Sequence, residues 1–202
     1  MKLLHIDASI LNEQSASRQL TTAIVKRLIQ VTPGVEVVYN DLAAEPIGHL
    51  STAEFLAFQE GDPQDDTARR EVTQNAKLLS DFLASNVIVI GAPMYNFSLP
   101  SQLKAWLDRV AVAGKTFRYT PSGVEGLAGG KRVIIASTRG GIYSDGAPAA
   151  FLDHQETYLR GFLGFLGITD VTFVRAEGLA FGPDSRAAAI DAAVAQVEKL
   201  AA

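Results

Sequence analysis

The chain has 202 residues, 48% of them hydrophobic and 20% charged, enough for one α/β domain with a sizeable core, and its longest apolar runs are strand length, far short of a bilayer span. A formal net charge of -4 without any run of Lys or Arg argues against a nucleic-acid footprint. The absence of Cys excludes disulfides, thiolate catalysis and zinc–thiolate sites, and three scattered His residues (His5, His49, His154) argue against a metal cluster.

The N-terminus reaches Asp7 before a signal-peptide core can form, so Leu3 to Ala8 reads as a first strand and the protein as cytoplasmic. A polar loop with Ser9, Ser15, Ala16 and Ser17 then opens a helix bearing Leu20, Ile24, Leu28 and Val31 on one face. Strand, hydroxyl-rich loop and helix start form the geometry of a phosphate site, because unpaired N–H groups and the helix dipole favour an anion there. One serine would suffice as a cap, and capping alone is the competing explanation. The dipole contributes only about 0.3 to 2 kcal/mol, so tight binding also requires charge-assisted hydrogen bonds and burial of a ring system elsewhere.

Val35 to Tyr39 reads as the second strand. A turn-rich stretch follows from Ala44 to Asp66, with capping-box spacing at Ser51-Thr52-Ala53-Glu54 and Phe55 and Phe58 as core, lid or subunit contacts. Asp65-Asp66-Thr67 caps a long helix whose core face carries Val72, Ala76, Leu79 and Phe82. Val87 to Ile90 is four β-branched residues without polar alternation, the mark of a central parallel strand. After it, Pro93, Met94, Tyr95, Asn96 and Phe97 form a loop of aromatics around one amide, suited to a planar heteroaromatic ligand. Ser98 is the expected cap of the next helix, which enters through Pro100 and carries Leu103, Trp106, Leu107 and Val110 inward, with Asp108 and Arg109 at the rim.

Thr116 to Pro121 is an extended excursion whose Phe117 and Tyr119 lack an obvious partner in the chain, and Ser122-Gly123 and Gly126 mark turns. Arg132 to Ser137 reads as the fourth strand, and Thr138, Arg139, Gly140 and Gly141 follow it. Adjacent glycines there let backbone N–H groups approach a ligand, and a side chain at Gly141 is expected to meet φ > 0 strain or push the loop away. A helix over 148–167, a fifth strand from Val171 to Val174, and a last helix from Ser185 with Ile190, Val194, Val197 and Leu200 on one stripe complete the chain.

Five strands alternating with helices predict a flavodoxin-like doubly wound parallel sheet of order 2-1-3-4-5 in a three-layer α/β/α arrangement, occupying residues 1–202 as a single domain. In that order the ends of strands one, three and four are neighbours at the topological switch point, and all three candidate loops sit there. A phosphate end at Ser9 to Ser17 and a ring between the other two loops describe FMN.

The same residues resemble the FMN-dependent NADH-azoreductases and quinone reductases, once labelled acyl carrier protein phosphodiesterases. The likeness runs nearly the full length. It rests on Ser9 with Ser15-Ala16-Ser17, Pro93 to Phe97, Phe117 to Thr120, Thr138 to Gly141, and Phe162 to Gly167. The resemblance implies that Ser9 and Ser15 to Ser17 hold the FMN phosphate, that Met94 to Phe97 flank the ring, and that Thr138 to Gly141 line its pyrimidine edge. It implies a homodimer in which Tyr119 and Phe162 complete the partner's pocket and, with Asn96 and Phe97, meet the substrate. The implied chemistry is ping-pong hydride transfer from NADH or NADPH through flavin N5 to quinones and azo compounds, with no catalytic side chain and no metal. An electron carrier of the flavodoxin type, or a phosphodiesterase or other hydrolase, is the alternative.

Overall fold

The computed structural model describes residues 1–57 and 66–201; Phe58 and Asp65 lie outside them. Five strands form one parallel sheet: β1 (Lys2–Asp7), β2 (Glu36–Asp41), β3 (Val87–Pro93), β6 (Arg132–Thr138) and β7 (Asp170–Ala176). Their order is β2-β1-β3-β6-β7, the expected 2-1-3-4-5 once the two strands of a separate hairpin are left out of the numbering. The fold is the anticipated flavodoxin-like α/β arrangement.

All seven residues of β3 are buried. Its apolar run is therefore explained by cover on both faces of the sheet. On one face Ile88 and Ile90 join Phe82, Leu103, Trp106 and Leu163. On the other, Val87 and Val89 meet Leu20, Ile24 and Leu28 of α1 (Ala16–Val31) and Val197 of α6 (Pro183–Val197).

Several boundaries differ from the sequence reading. β3 runs through Pro93, paired with Thr138 of β6. The Met94 N–H donates to the Thr138 carbonyl at 2.8 Å, so the donor that proline lacks faces β1, where pairing has already ended at Asp7 and Gly91. Ser98 does not cap α4 (Ser101–Val110); Pro100 holds the cap position, and Ser98 instead closes a tight turn with Tyr95. The 148–167 stretch is two pieces, a 3-10 turn at Ala150–Leu152 and α5 (His154–Phe165). Asp153 sets the break by accepting the Gln155 and Glu156 N–H groups at 3.1 and 2.9 Å.

The excursion after α4 is an antiparallel hairpin, β4 (Phe117–Thr120) with β5 (Gly123–Gly126). A Cβ on Gly126 would lie 2.1 Å from the Gly167 nitrogen, so Gly126 serves backbone-to-backbone contact with the end of α5 rather than a turn. Phe117 does find partners, packing on Phe165 at 4.5 Å and edge-on to Tyr119 at 5.6 Å, while Tyr119 itself stays 75% exposed.

The capping box forms as spaced. In α2 (Thr52–Ala57), Ser51 N–H donates to Glu54 at 2.6 Å and Glu54 N–H to the Ser51 hydroxyl at 3.2 Å. Phe55 is exposed rather than core. On α3 (Asp66–Ala84), Ala76 is exposed and the buried positions include Asn75, Leu78, Leu79 and Phe82. Asn75 accepts from Arg109 at 2.7 Å and donates to Glu54 at 2.8 Å, and Arg109 pairs with Glu54 at 2.6 Å. Arg109 is thus fully buried, not at a rim.

Candidate functional site

The carboxyl ends of β1, β3 and β6 meet as the strand order requires. Tyr95 joins two of them: its hydroxyl lies 3.3 Å from the Ser9 hydroxyl and accepts the Ile10 N–H at 3.3 Å. The bond from Met94 to the Thr138 carbonyl joins the third. Between them lies a cavity of about 200 Å³ lined by Ser9, Leu11, Ser15, Ala16, Pro93, Met94, Tyr95, Thr138, Arg139, Gly140, Leu179, Ala180 and Arg186. Ten of the thirteen come from loops expected from sequence; Leu179, Ala180 and Arg186 do not. For the 178–180 loop the signal was the paired Gly140-Gly141, whose carbonyls need partners: Ala180 and Gly178 N–H groups supply them at 3.0 and 2.9 Å, whereas nothing local in the sequence points to Arg186.

At the β1 end, Ser9, Ser15 and Ser17 are all buried. Ser15 is the α1 cap, accepting the Arg18 N–H at 3.3 Å, and its hydroxyl lies 3.0 Å from that of Ser17. Capping thus occupies Ser15, but it explains neither the burial of Ser9 and Ser17 nor the Ala16 and Ser17 N–H groups, which have no acceptor among the described residues. These donors stand at the start of α1, where the helix dipole also favours negative charge, and their chemistry suits an oxyanion.

A brace of charges fixes this end. Arg18 forms a fork with Asp41 at 2.6 and 2.7 Å and donates to the Ser9 carbonyl at 2.9 Å. The Arg18 hydrogen bond holds the Asp41 carboxyl down at about 2, despite partial burial. Burial, together with the neighbouring carboxylates Asp7 and Asp41, pushes the Tyr39 hydroxyl up to about 12, so it donates to Asp7 at 3.2 Å. Asp7 also accepts from Thr21 at 2.9 Å.

At the β3 end, Asn96 and Phe97 hold φ of 48° and 69°. Positive φ at a bulky Phe is costly, and it is kept here by the Tyr95–Ser98 bonds of 3.0 and 3.1 Å and by the His154 N–H on the Phe97 carbonyl at 3.1 Å. The turn leaves both side chains exposed beside the cavity mouth, with Phe97 edge-on to Tyr143 at 6.1 Å.

The β6 end departs from expectation in two ways. The Arg139 side chain is turned into a buried cluster, reaching Asp153 at 2.8 Å, Glu156 at 2.7 Å and Glu177 at 3.1 Å, so only its main chain serves the cavity wall. Burial opposes ionisation of Glu177, yet N–H and hydroxyl donors from Tyr143 and Ser144, with Arg139, hold its carboxyl below the usual range. Gly141 has no positive φ; a Cβ there would instead press on the Tyr143 ring at 3.0 to 3.1 Å. The constraint at Gly141 is crowding, not backbone strain. The N–H groups of Gly140 and Gly141 are unengaged among the described residues and remain as donors.

Ser17, Asn96, Phe97 and Gly141 adjoin the cavity without lining it, and Tyr119 and Phe162 lie elsewhere: Tyr119 on the hairpin, Phe162 stacked on Tyr158 at 5.8 Å.

The model of a family described by its flavodoxin-like fold matches residues 1–201. An FMN-dependent NADH:quinone oxidoreductase of Methylocella silvestris is 58% identical over 191 residues, 94% of each chain. One from Bradyrhizobium sp. is 55% identical over 202 residues, the whole of both chains. Among solved structures, an azoreductase from Bacillus anthracis is 31% identical with a TM-score of 0.87, over 98% of this chain and 97% of that one. An FMN-dependent NADH-azoreductase from the same species, solved in complex with FMN, is 25% identical with a TM-score of 0.88, over 98% and 96%. Matched along nearly its whole length, the chain belongs to the flavodoxin-like fold family, alongside these quinone oxidoreductases and azoreductases.

Proposed function

We propose that this chain is an FMN-dependent oxidoreductase that uses NADH or NADPH to reduce quinones by two electrons and to cleave aromatic azo compounds. The observation that carries the reading is the cluster of buried hydroxyls and unengaged N–H groups at the start of α1, joined through Tyr95 to an exposed amide and aromatic loop. Relatives at 52 to 58% identity named FMN-dependent NADH:quinone oxidoreductase support it.

The residues fit FMN. A dianionic phosphate needs several donors in one place, and Ser9, Ser15 and Ser17 with the Ala16 and Ser17 N–H groups provide them. Pro93, Met94 and Tyr95 offer the ring an apolar wall, while the Gly140 and Gly141 N–H groups suit the electron-rich pyrimidine edge. Bound FMN supplies reversible two-electron redox chemistry, accepting hydride equivalents and passing them on. The protein's part is to hold, orient and keep the cleft dry. Asn96, with a donor and an acceptor, and Phe97, with a flat apolar face, stand exposed where a quinone or nicotinamide would lie.

The whole chain forms one flavin-binding domain in this reading. It works as a cytoplasmic homodimer, in which Tyr119 and Phe162 close the partner's cleft. Tyr119, Phe151 and Phe181 are 75%, 77% and 64% exposed, and apolar surface of that kind favours a subunit contact. No helix among the described residues is long and apolar enough to cross a membrane.

If one cleft serves both substrates, they bind in turn. Initial rates with NADH and a soluble quinone should then give parallel double-reciprocal lines. Intersecting lines would remove the shared cleft, and no NADH oxidation at all would remove the enzyme in favour of an electron carrier.

A further inference from the structure

We propose that Arg186, on the first turn of α6, is the cation that completes the phosphate end of the FMN site and gives the chain its preference for FMN over the uncharged riboflavin. This rests on the FMN reading above. The phosphate cradle visible in the sequence is wholly neutral, built of serine hydroxyls and peptide N–H groups, whereas a phosphate monoester carries close to two charges at neutral pH.

Three arginines stand at or beside the cavity, and two have their charge answered by carboxylates. Arg18 is held in its fork by Asp41, and Arg139 is buried among Asp153, Glu156 and Glu177. Arg186 differs. Its Nη2 donates to the Gln14 carbonyl at 2.8 Å, and no carboxylate among the described residues pairs with it. Gln14 directly precedes Ser15, the α1 cap, so the guanidinium is anchored one residue from the hydroxyl cluster, and Arg186 lines the same cavity as Ser9, Ser15 and Ala16. A guanidinium bonded to a single carbonyl keeps further N–H donors in a planar fork, the geometry that matches phosphate oxygens.

The arrangement also explains why α6 closes on this end of the sheet. Ser185 donates to the Gly178 carbonyl at 2.9 Å, and Arg186 bridges from α6 to the loop before α1. A ligand phosphate would thus tie the last helix to the first. The competing explanation is that Arg186 only pins Gln14, a role needing a donor but no charge.

The full-length chain, freed of flavin, separates these by fluorescence titration with FMN and with riboflavin. Arg186→Gln keeps a donor of similar reach without charge, and Arg186→Lys keeps the charge. We expect Arg186→Gln to weaken FMN about tenfold with riboflavin changed less than about twofold, Arg186→Lys to keep most of the FMN affinity, and the salt dependence of FMN binding to be shallower in Arg186→Gln than in the parent. An unchanged FMN-to-riboflavin ratio in Arg186→Gln, or an equal loss of both flavins, would overturn the proposal while leaving the FMN site intact. A parent chain that binds neither flavin would overturn the FMN reading itself and this inference with it.

Discussion

Gly91 sits where β3 passes the buried Asp7 carboxylate, and Gly91→Ala would place a Cβ 2.6 Å from Asp7 Oδ1 and 3.2 Å from Thr21 Cγ2. Asp7 cannot yield cheaply: its side chain is only 4% exposed and it accepts from Thr21 at 2.9 Å and Tyr39 at 3.2 Å. Overpacking typically costs about 1 to 3 kcal/mol, and displacing one of those hydrogen bonds adds about 1 kcal/mol, so the expected loss is about 3 kcal/mol. At about 2 to 4 °C per kcal/mol for a chain of this size, the midpoint of thermal unfolding should fall by roughly 6 to 12 °C. The cause is isolated by repeating the substitution in an Asp7→Ala background, where the oxygen is gone and the added methyl should cost less than about 1 kcal/mol. Urea unfolding of the four proteins measures both costs. An equal cost in the two backgrounds, or a loss below about 1 kcal/mol in the parent, would refute the reasoning.

Replacing Ser15 and Ser17 together by Ala should raise the FMN dissociation constant by roughly a hundredfold, two charge-assisted bonds at about 1.5 kcal/mol each, while loss of the cap costs only about 1 kcal/mol of stability. An unchanged constant in fluorescence titration would mean that the serines only cap and pack. Glu54→Gln leaves the buried Arg109 guanidinium without its carboxylate, and a loss of about 3 to 5 kcal/mol is expected in urea unfolding; less than about 1 kcal/mol would contradict the buried pair. The Asp41 carboxyl is lowered from 3.8 to about 2, first by its hydrogen bond from Arg18. A depressed folded-state value stabilises above the unfolded pKa and is lost as pH falls through the folded one, so the contribution fades between about pH 4 and pH 2. Asp41→Asn should flatten that part of the acid limb by no more than about 2 kcal/mol, and acid unfolding curves that stay superimposable on the parent's would count against the brace.

The sheet order and the three loops were legible because they depend on periodicity and punctuation: an unbroken β-branched run at Val87 to Ile90, a proline at its end, and glycines after the fourth strand. What was not legible depends on partners distant in sequence. Arg139 looked like a ligand residue, yet Asp153, Glu156 and Glu177 draw its side chain below the loop. Arg109 was expected at the rim of its helix, but it, Asn75 and Glu54 satisfy one another across three helices, and only the fold makes a buried charge affordable. At Gly141 a side chain was expected to meet φ > 0 strain or to push the loop away; the φ is not positive, and Tyr143, two residues on, sets the limit by crowding. Arg186 carried no local signal, since its relation to Gln14 spans 172 residues.

The central claim is that the buried serines and the Met94 to Phe97 loop form an FMN site, and the absorption spectrum of the purified full-length chain tests it most directly. Flavin bands near one FMN per chain, either as purified or after addition of FMN and removal of the excess, are predicted. A chain that retains no flavin under both conditions would contradict the account.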